Sequence, residues 1–209
     1  MKLPTLETMT DNILSVYAQA MRVERQEGRE WYRKANAITR ELAEKHDRPI
    51  AEVAGIISIL SPSNRWDRNV EDADTLLTAH AAGLGPDEFR VSTYAANRRK
   101  AWWMLEEKST PEEMFGKRAP KTCAFFRLIA LPSSPDVVID GHAFSIAIGV
   151  RTVLQSDEIP NLEYKGRYER ISSAYREAAL RLGLRASEVQ AVTWLVWRRL
   201  HLSETRWEV

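Results

Sequence analysis

Apolar residues recur along this chain at intervals of three and four, the spacing that gathers them on one face of a helix, and hardly anywhere at intervals of two. Thr10-Asp11 reads as a start signal for a first helix over about 9–21, with Ile13, Leu14, Tyr17, Ala20 and Met21 at helical spacing. A second helix is predicted from about Arg29 to His46, with Tyr32, Ala35, Ile38 and Leu42 on one side. Pro49 fits the first turn of a third, Ile50–Leu60, which is apolar nearly all round and is therefore expected at the centre of the core. Ser61-Pro62-Ser63-Asn64 ends it, because proline disfavours helix in the residue before it. A fourth helix begins near Asp67 or Asn69 and runs to Ala82, where Gly83-Leu84-Gly85-Pro86 stops it. A fifth covers 92–107 with Ala95, Trp102 and Leu105 inward. Thr110-Pro111-Glu112-Glu113 has the form of a capping box with proline at the first helical position, opening one short turn that ends at Gly116. Further helices follow over 120–131, 140–150, 165–182 and 187–200, the last two separated by Gly183. Val137-Val138-Ile139 alone has strand character, and it is too short to make a sheet. The expected fold class is all-α.

At 209 residues the chain fits one domain, or two small lobes around a cleft. Hydrophobic and charged fractions of 44% and 28% are those of a folded globule. One cysteine, Cys123, excludes an internal disulfide framework and a cysteine-rich metal site, and its apolar neighbours mark it as core. No metal and no cofactor is expected. No leader peptide is evident and no apolar run nears the roughly 18 residues of a membrane span, so the expected location is the cytoplasm, without a membrane partner. A net charge of +1 argues against a purely electrostatic binder of polyanions but leaves room for local basic patches. Arg98-Arg99-Lys100 is one candidate, and Lys117-Arg118 with Lys121 is another. Several of the seven tryptophans sit on apolar helix faces, where core packing is their ordinary use.

The chemistry concentrates between Lys121 and Gly149. Lys121 stands in the first turn of an apolar helix; a Pro/Ser loop and the β-branched run follow, and Asp140-Gly141-His142 opens a second apolar helix. Taken singly, Asp140 is a helix cap, Lys121 a solvated lysine and His142 a packing or hydrogen-bonding histidine. Taken together they suit chemistry at a sugar carbon. Cleaving an N-glycosidic bond builds positive charge on the deoxyribose, which a fixed carboxylate stabilises. A neutral amine can instead attack the anomeric carbon and form a Schiff base.

The stretch LIALPSSPDVVIDGHAFSIA resembles, nearly position by position, the helix, loop and V-D-x-H helix of the helix-hairpin-helix DNA glycosylase superfamily. The resemblance implies a two-lobed helical fold with a central cleft. It places Asp140 on the superfamily's catalytic aspartate, Lys121 where bifunctional members keep a Schiff-base lysine, and His142 on the histidine that follows. Upstream, VAGIISILSPSNRWDRNVEDA looks like the superfamily's early helix and its L-S-x-Q turn, which inserts a polar side chain into the DNA stack. Here the turn reads Leu60-Ser61-Pro62-Ser63, so serine replaces the usual glutamine, and Asn64, Arg65 or Trp66 is left to fill the gap of a flipped base. Trp66 is either a base-stacking platform or a tryptophan folded back on the core. Asn69 belongs to the same candidate DNA-binding group.

One departure stands out. The usual glycine-rich L-P-G-x-G hairpin is Phe115-Gly116-Lys117-Arg118-Ala119-Pro120, in which Pro120 donates no amide. Lys117 and Arg118 would then hold phosphate by charge. The pattern Ser61-Pro62, Trp66, Asn69, Pro120-Lys121, Phe125-Phe126 and Ile139-Asp140-x-His142 is similar to a phage-associated branch of the superfamily, as is Glu188-Val189-Gln190-Ala191 with Trp194 and Arg198. That branch is linked to hypermodified thymines. Three functions stay open. The chain excises a modified or damaged base, or it transfers a group to an activated hydroxymethyluracil without cutting the glycosidic bond, or it is a silent DNA- or protein-binding domain. The expected partner is double-stranded DNA with one base flipped out, met by a monomer. The expected organisation is a single domain over 1–209. Its helical lobes would span about 28–115 and about 116–150, with the terminal helices completing the second.

Overall fold

The computed structural model describes residues 3–151 and 166–202, apart from the side chains of Lys117 and Leu202. The described residues are all-α and contain no strand. They divide into two compact units, one made of Met1–Arg33 with Ser133–Val209 and the other of Lys34–Pro132.

In the first unit, α1 (Leu6–Ala18) packs against α8 (Gly141–Ile148), α9 (Arg167–Leu182) and α10 (Ala186–Leu202). Their shared core holds Met9, Ile13, Phe144, Ile171, Tyr175 and Val192, together with Val137 and Ile139 of the extended run. The start of α1 lies earlier than Thr10-Asp11 suggests. Thr5 is the cap, its side chain accepting from the Thr8 amide, while Thr10 is buried within the helix and donates to the Leu6 carbonyl at 2.9 Å. The same correction applies to α2 (Arg22–Lys45), which begins about two turns before Arg29. Glu24 caps it by accepting from the Met21 amide at 2.8 Å. Gly28 is then interior to the helix, because a Cβ there would sit 2.5 Å from the Val192 side chain. The first half of α2 belongs to this unit and its second half to the other.

In the second unit, α3 (Ile50–Leu60) is central as its uniform apolarity implies, with every residue from Val53 to Leu60 buried. Around it pack α4 (Trp66–Ala81), α5 (Ala95–Glu106), α6 (Pro111–Phe115) and α7 (Pro120–Ala130). The sequence reading grouped α7 with the terminal helices; it packs on α3 within residues 34–132. Cys123 is buried as expected. Ala95 is exposed rather than inward, since α5 starts there and not at Ser92. The three preceding residues are tied elsewhere: the Ser92 amide donates to Asp72 at 2.8 Å, and the Thr93 hydroxyl to the Pro62 carbonyl at 2.9 Å. Lys165, expected to begin a helix, lies outside the described residues.

Candidate functional site

Asp140 sits at the junction of the extended run and α8, and its place is built from both sides. Upstream, the Tyr168 hydroxyl donates to the Val137 carbonyl at 2.8 Å and accepts from the Ile139 amide at 3.1 Å, splinting a segment that has no sheet to join. Downstream, Asp140 is the N-cap of α8, and its Oδ1 accepts from the Ala143 amide at 2.8 Å. Among the described residues Oδ2 accepts no hydrogen bond. The cap fixes the carboxylate's direction, and the positive end of α8 favours its negative charge. Asp140 is half-buried, so one oxygen is anchored while the group keeps access to a ligand.

Two buried tyrosines feel the charge of Asp140. Burial pushes the Tyr32 hydroxyl well above its ordinary range, with the Asp140 charge and Tyr168 adding to the effect. Burial likewise raises Tyr175, where a Thr193 hydrogen bond opposes and Asp140 again adds. Both hydroxyls therefore remain protonated donors: Tyr32 to Gln190 Oε1 at 3.0 Å, Tyr175 to the Ala143 carbonyl at 3.3 Å. The sequence reading placed Tyr32 on a buried helix face but did not connect it, Tyr168 or Tyr175 with Asp140. No spacing rule links positions so far apart.

His142, half-buried, points its ring at Trp194 of α10, edge to face at 6.4 Å between centroids. The Arg198 guanidinium lies over that indole at 4.5 Å. The structure thus brings Asp140, His142, Trp194 and Arg198 to one end of the first unit.

The remaining candidates gather in the second unit. Ser61 donates to the Ser58 carbonyl at 2.9 Å and closes α3. Ser63 is exposed with φ +57°, its hydroxyl 3.3 Å from that of Tyr94. Asn64 donates to Asp72 at 2.7 Å, and Asp72 also holds Ser92, so the turn is braced from behind. Arg65 is exposed at the start of α4. Trp66 is half-buried and meets Phe125 of α7 edge-on at 6.5 Å, which fits packing between helices while leaving part of the ring accessible. Asn69 differs from the other candidates: it is 2% exposed and donates to the Ile57 carbonyl at 2.9 Å, locking α4 to α3. Its amide is placed to hold the turn rather than a ligand.

Helix α6 begins with the expected capping box, Thr110 accepting from the Glu113 amide at 3.3 Å and Glu113 from the Thr110 amide at 2.7 Å. A 3-10 turn, Gly116–Arg118, then leads into α7. Gly116 takes φ +53°, a left-handed value that the helix–turn–helix reversal requires. Arg118 is exposed, Lys121 is half-buried in the first turn of α7, and the Lys117 side chain lies outside the described atoms. The other basic patch is spent differently. Arg98 and Arg99 both pair with Asp87, Arg99 at 2.9 Å, and Lys100 lies 5.8 Å from the Phe115 ring centre. Among the described residues no His/Cys/Asp/Glu group could hold a metal ion, and no helix is long and apolar enough to cross a membrane.

Over residues 2–201 the chain matches, and belongs to, a family described as "Family of unknown function (DUF7178)". No curated protein and no solved structure matches it.

Proposed function

We propose that the chain is a DNA glycosylase-like enzyme that turns a modified or damaged base out of duplex DNA and excises it, working as a monomer. The observation that carries this reading is the Asp140 carboxylate, anchored through one oxygen by the Ala143 amide at 2.8 Å and unengaged at the other among the described residues. A carboxylate held in that way meets a developing cation without having to reorganise, which is where electrostatic catalysis gains most. When the bond between C1′ and the base nitrogen breaks, its electron pair leaves with the base. The positive charge left on the sugar faces Asp140, and water completes the exchange.

The short helix, 3-10 turn and helix of α6 and α7 support the same reading. A phosphate approaching this reversal would meet Arg118 and Lys121, and Lys117 adjoins them in sequence. Trp66, Arg65 and Ser63 on the α3–α4 turn would fill or flank the space left by the displaced base, with Asn64 and Asn69 holding the turn in shape. The two-lobed helix-hairpin-helix form with a central cleft is part of the proposal.

The test is mass spectrometry of nucleosides and free bases after incubation with duplexes carrying thymine, hydroxymethyluracil or a hypermodified thymine. A free base and an abasic site, both lost in Asp140→Asn, are expected. An intact but heavier nucleoside would mean transfer to the base instead, and no change in any duplex would end the enzymatic reading.

A further inference from the structure

Several arginines of α9, α10 and the turn between them are committed to ion pairs. Arg176 pairs with Glu169, Arg181 with Glu177 and Asp11, Arg185 with Glu188, and Arg199 with Glu24. Arg198 differs. It is exposed, its guanidinium lies 4.5 Å from the centre of the Trp194 ring, and among the described residues it meets no carboxylate. Resting on an indole removes water from one face of the guanidinium and restricts its rotamers without consuming its N–H donors. A cation prepared in this way, and without a counter-charge among the described residues, suits a bidentate anion such as phosphate.

Its position gives that preparation a use. Trp194, one helical turn back on α10, meets His142 at 6.4 Å, and His142 follows Asp140 by two residues at the start of α8. Successive ring contacts therefore link Arg198, Trp194 and His142 within the first unit, and His142 shares the first turn of α8 with Asp140. At one end sits a negative group suited to a sugar, and at the other a positive group suited to the phosphate attached to that sugar. We infer that Trp194 and Arg198 form a phosphate-anchoring subsite for the nucleotide whose sugar Asp140 faces, with Arg198 binding the phosphate and Trp194 positioning it. The inference rests on the excision reading for the role of Asp140. The bound chemistry, a nucleotide phosphate, is the same in a DNA strand or in a free nucleotide.

Two titrations of the full chain test it. In one, a fluorescein-labelled duplex with a single abasic analogue is bound at salt concentrations from about 50 to about 200 mM. In the other, thymidine 5′-monophosphate is followed by calorimetry. Arg198→Gln should weaken binding about tenfold at the lowest salt and make the log–log salt dependence shallower by about one unit. Arg198→Lys should keep the slope while losing part of the affinity, because the charge stays and the fork goes. Trp194→Phe should stay within about threefold of wild type, since a ring face remains, and Trp194→Leu should approach Arg198→Gln. Loss in the duplex arm assigns the site to a phosphodiester, and loss in the nucleotide arm to a free nucleotide. Wild-type affinity and slope for Arg198→Gln in both arms, or no binding by the wild type in either, overturns the inference. The two readings fail separately. If Arg198→Gln binds normally while the wild type releases a base that Asp140→Asn does not, the subsite falls and excision stands. If Arg198 anchors DNA but the wild type releases no base, the reverse holds.

Discussion

At Asp140, charge and shape can be separated by substitution. Asparagine keeps a side-chain oxygen for the Ala143 amide, so Asp140→Asn should fold as wild type does and, on the excision reading, bind DNA normally while turnover falls by about a hundredfold or more. Asp140→Ala should lose about 1 kcal/mol of stability as well, because the α8 cap goes with the charge. Single-turnover base release and urea denaturation measure the two effects. Glu24 offers a test with no bearing on catalysis. Its hydrogen bond from Arg199 holds the carboxyl below the ordinary glutamate range, against an opposing push from burial and with help from the Met21 amide. A depressed folded-state value means the folded protein binds fewer protons. The contribution to stability is then full above the ordinary glutamate pKa, and it is lost as pH falls through the depressed value. Glu24→Gln should be less stable than wild type at neutral pH, and the gap should close below about pH 4 in urea melts. Lys121 separates two chemistries. It is half-buried in the first turn of α7 rather than enclosed in the apolar setting that a Schiff-base lysine uses. Borohydride is therefore expected to trap no protein–DNA adduct, and an adduct lost in Lys121→Gln would make the enzyme bifunctional.

Helix α6 is the element with least to spare. Five residues make too short a helix to persist on propensity alone, so its reciprocal cap and its packing on α3 and α7 carry it. Thr110→Ala should cost about 1 kcal/mol in thermal or urea unfolding. On the DNA-binding reading, the reversal from α6 to α7 presents charge in place of the missing glycines. Lys117→Ala and Arg118→Ala should each make the salt dependence of DNA binding shallower by about one unit. Unchanged slopes in both would move the phosphate contact away from this turn. Helix α2 has the opposite character. Its Gly28 is not a break but the point where α10 comes closest, so Gly28→Ala should destabilise by about 1–3 kcal/mol through overpacking.

For the whole molecule, a net charge of +1 conceals an uneven distribution of free cations. Arg98 and Arg99 are neutralised by Asp87, whereas Arg65 and Arg118 are exposed with no carboxylate partner among the described residues. On the DNA-binding reading, Arg98→Ala and Arg99→Ala should accordingly leave the salt slope unchanged, although the bare sequence presents them as the denser basic patch. The division into units follows packing rather than order along the chain. The extended run and α8 join α1, α9 and α10, so the first unit draws on both ends of the chain and the second on a continuous stretch of it.

The sequence by itself determined the helical class, the buried centre at α3, the capping box at Thr110 and the cap at Asp140. Each depends on residues within a turn or two of one another, where periodicity and capping act. It misjudged the starts of α1 and α2 because Thr5 and Thr10 both satisfy the local rule, and because a glycine's meaning depends on what lies across from it. Only the tertiary structure decided that Val192 crosses at Gly28, that Asn69 is buried, and that Asp87 consumes two arginines. It alone brought buried Tyr32 and Tyr175 within the electrostatic reach of Asp140, and laid Arg198 on Trp194 away from the carboxylates of the described residues. These relations join positions far apart in the chain, and no local propensity encodes them, because they arise only when helices pack and bring their side chains within reach.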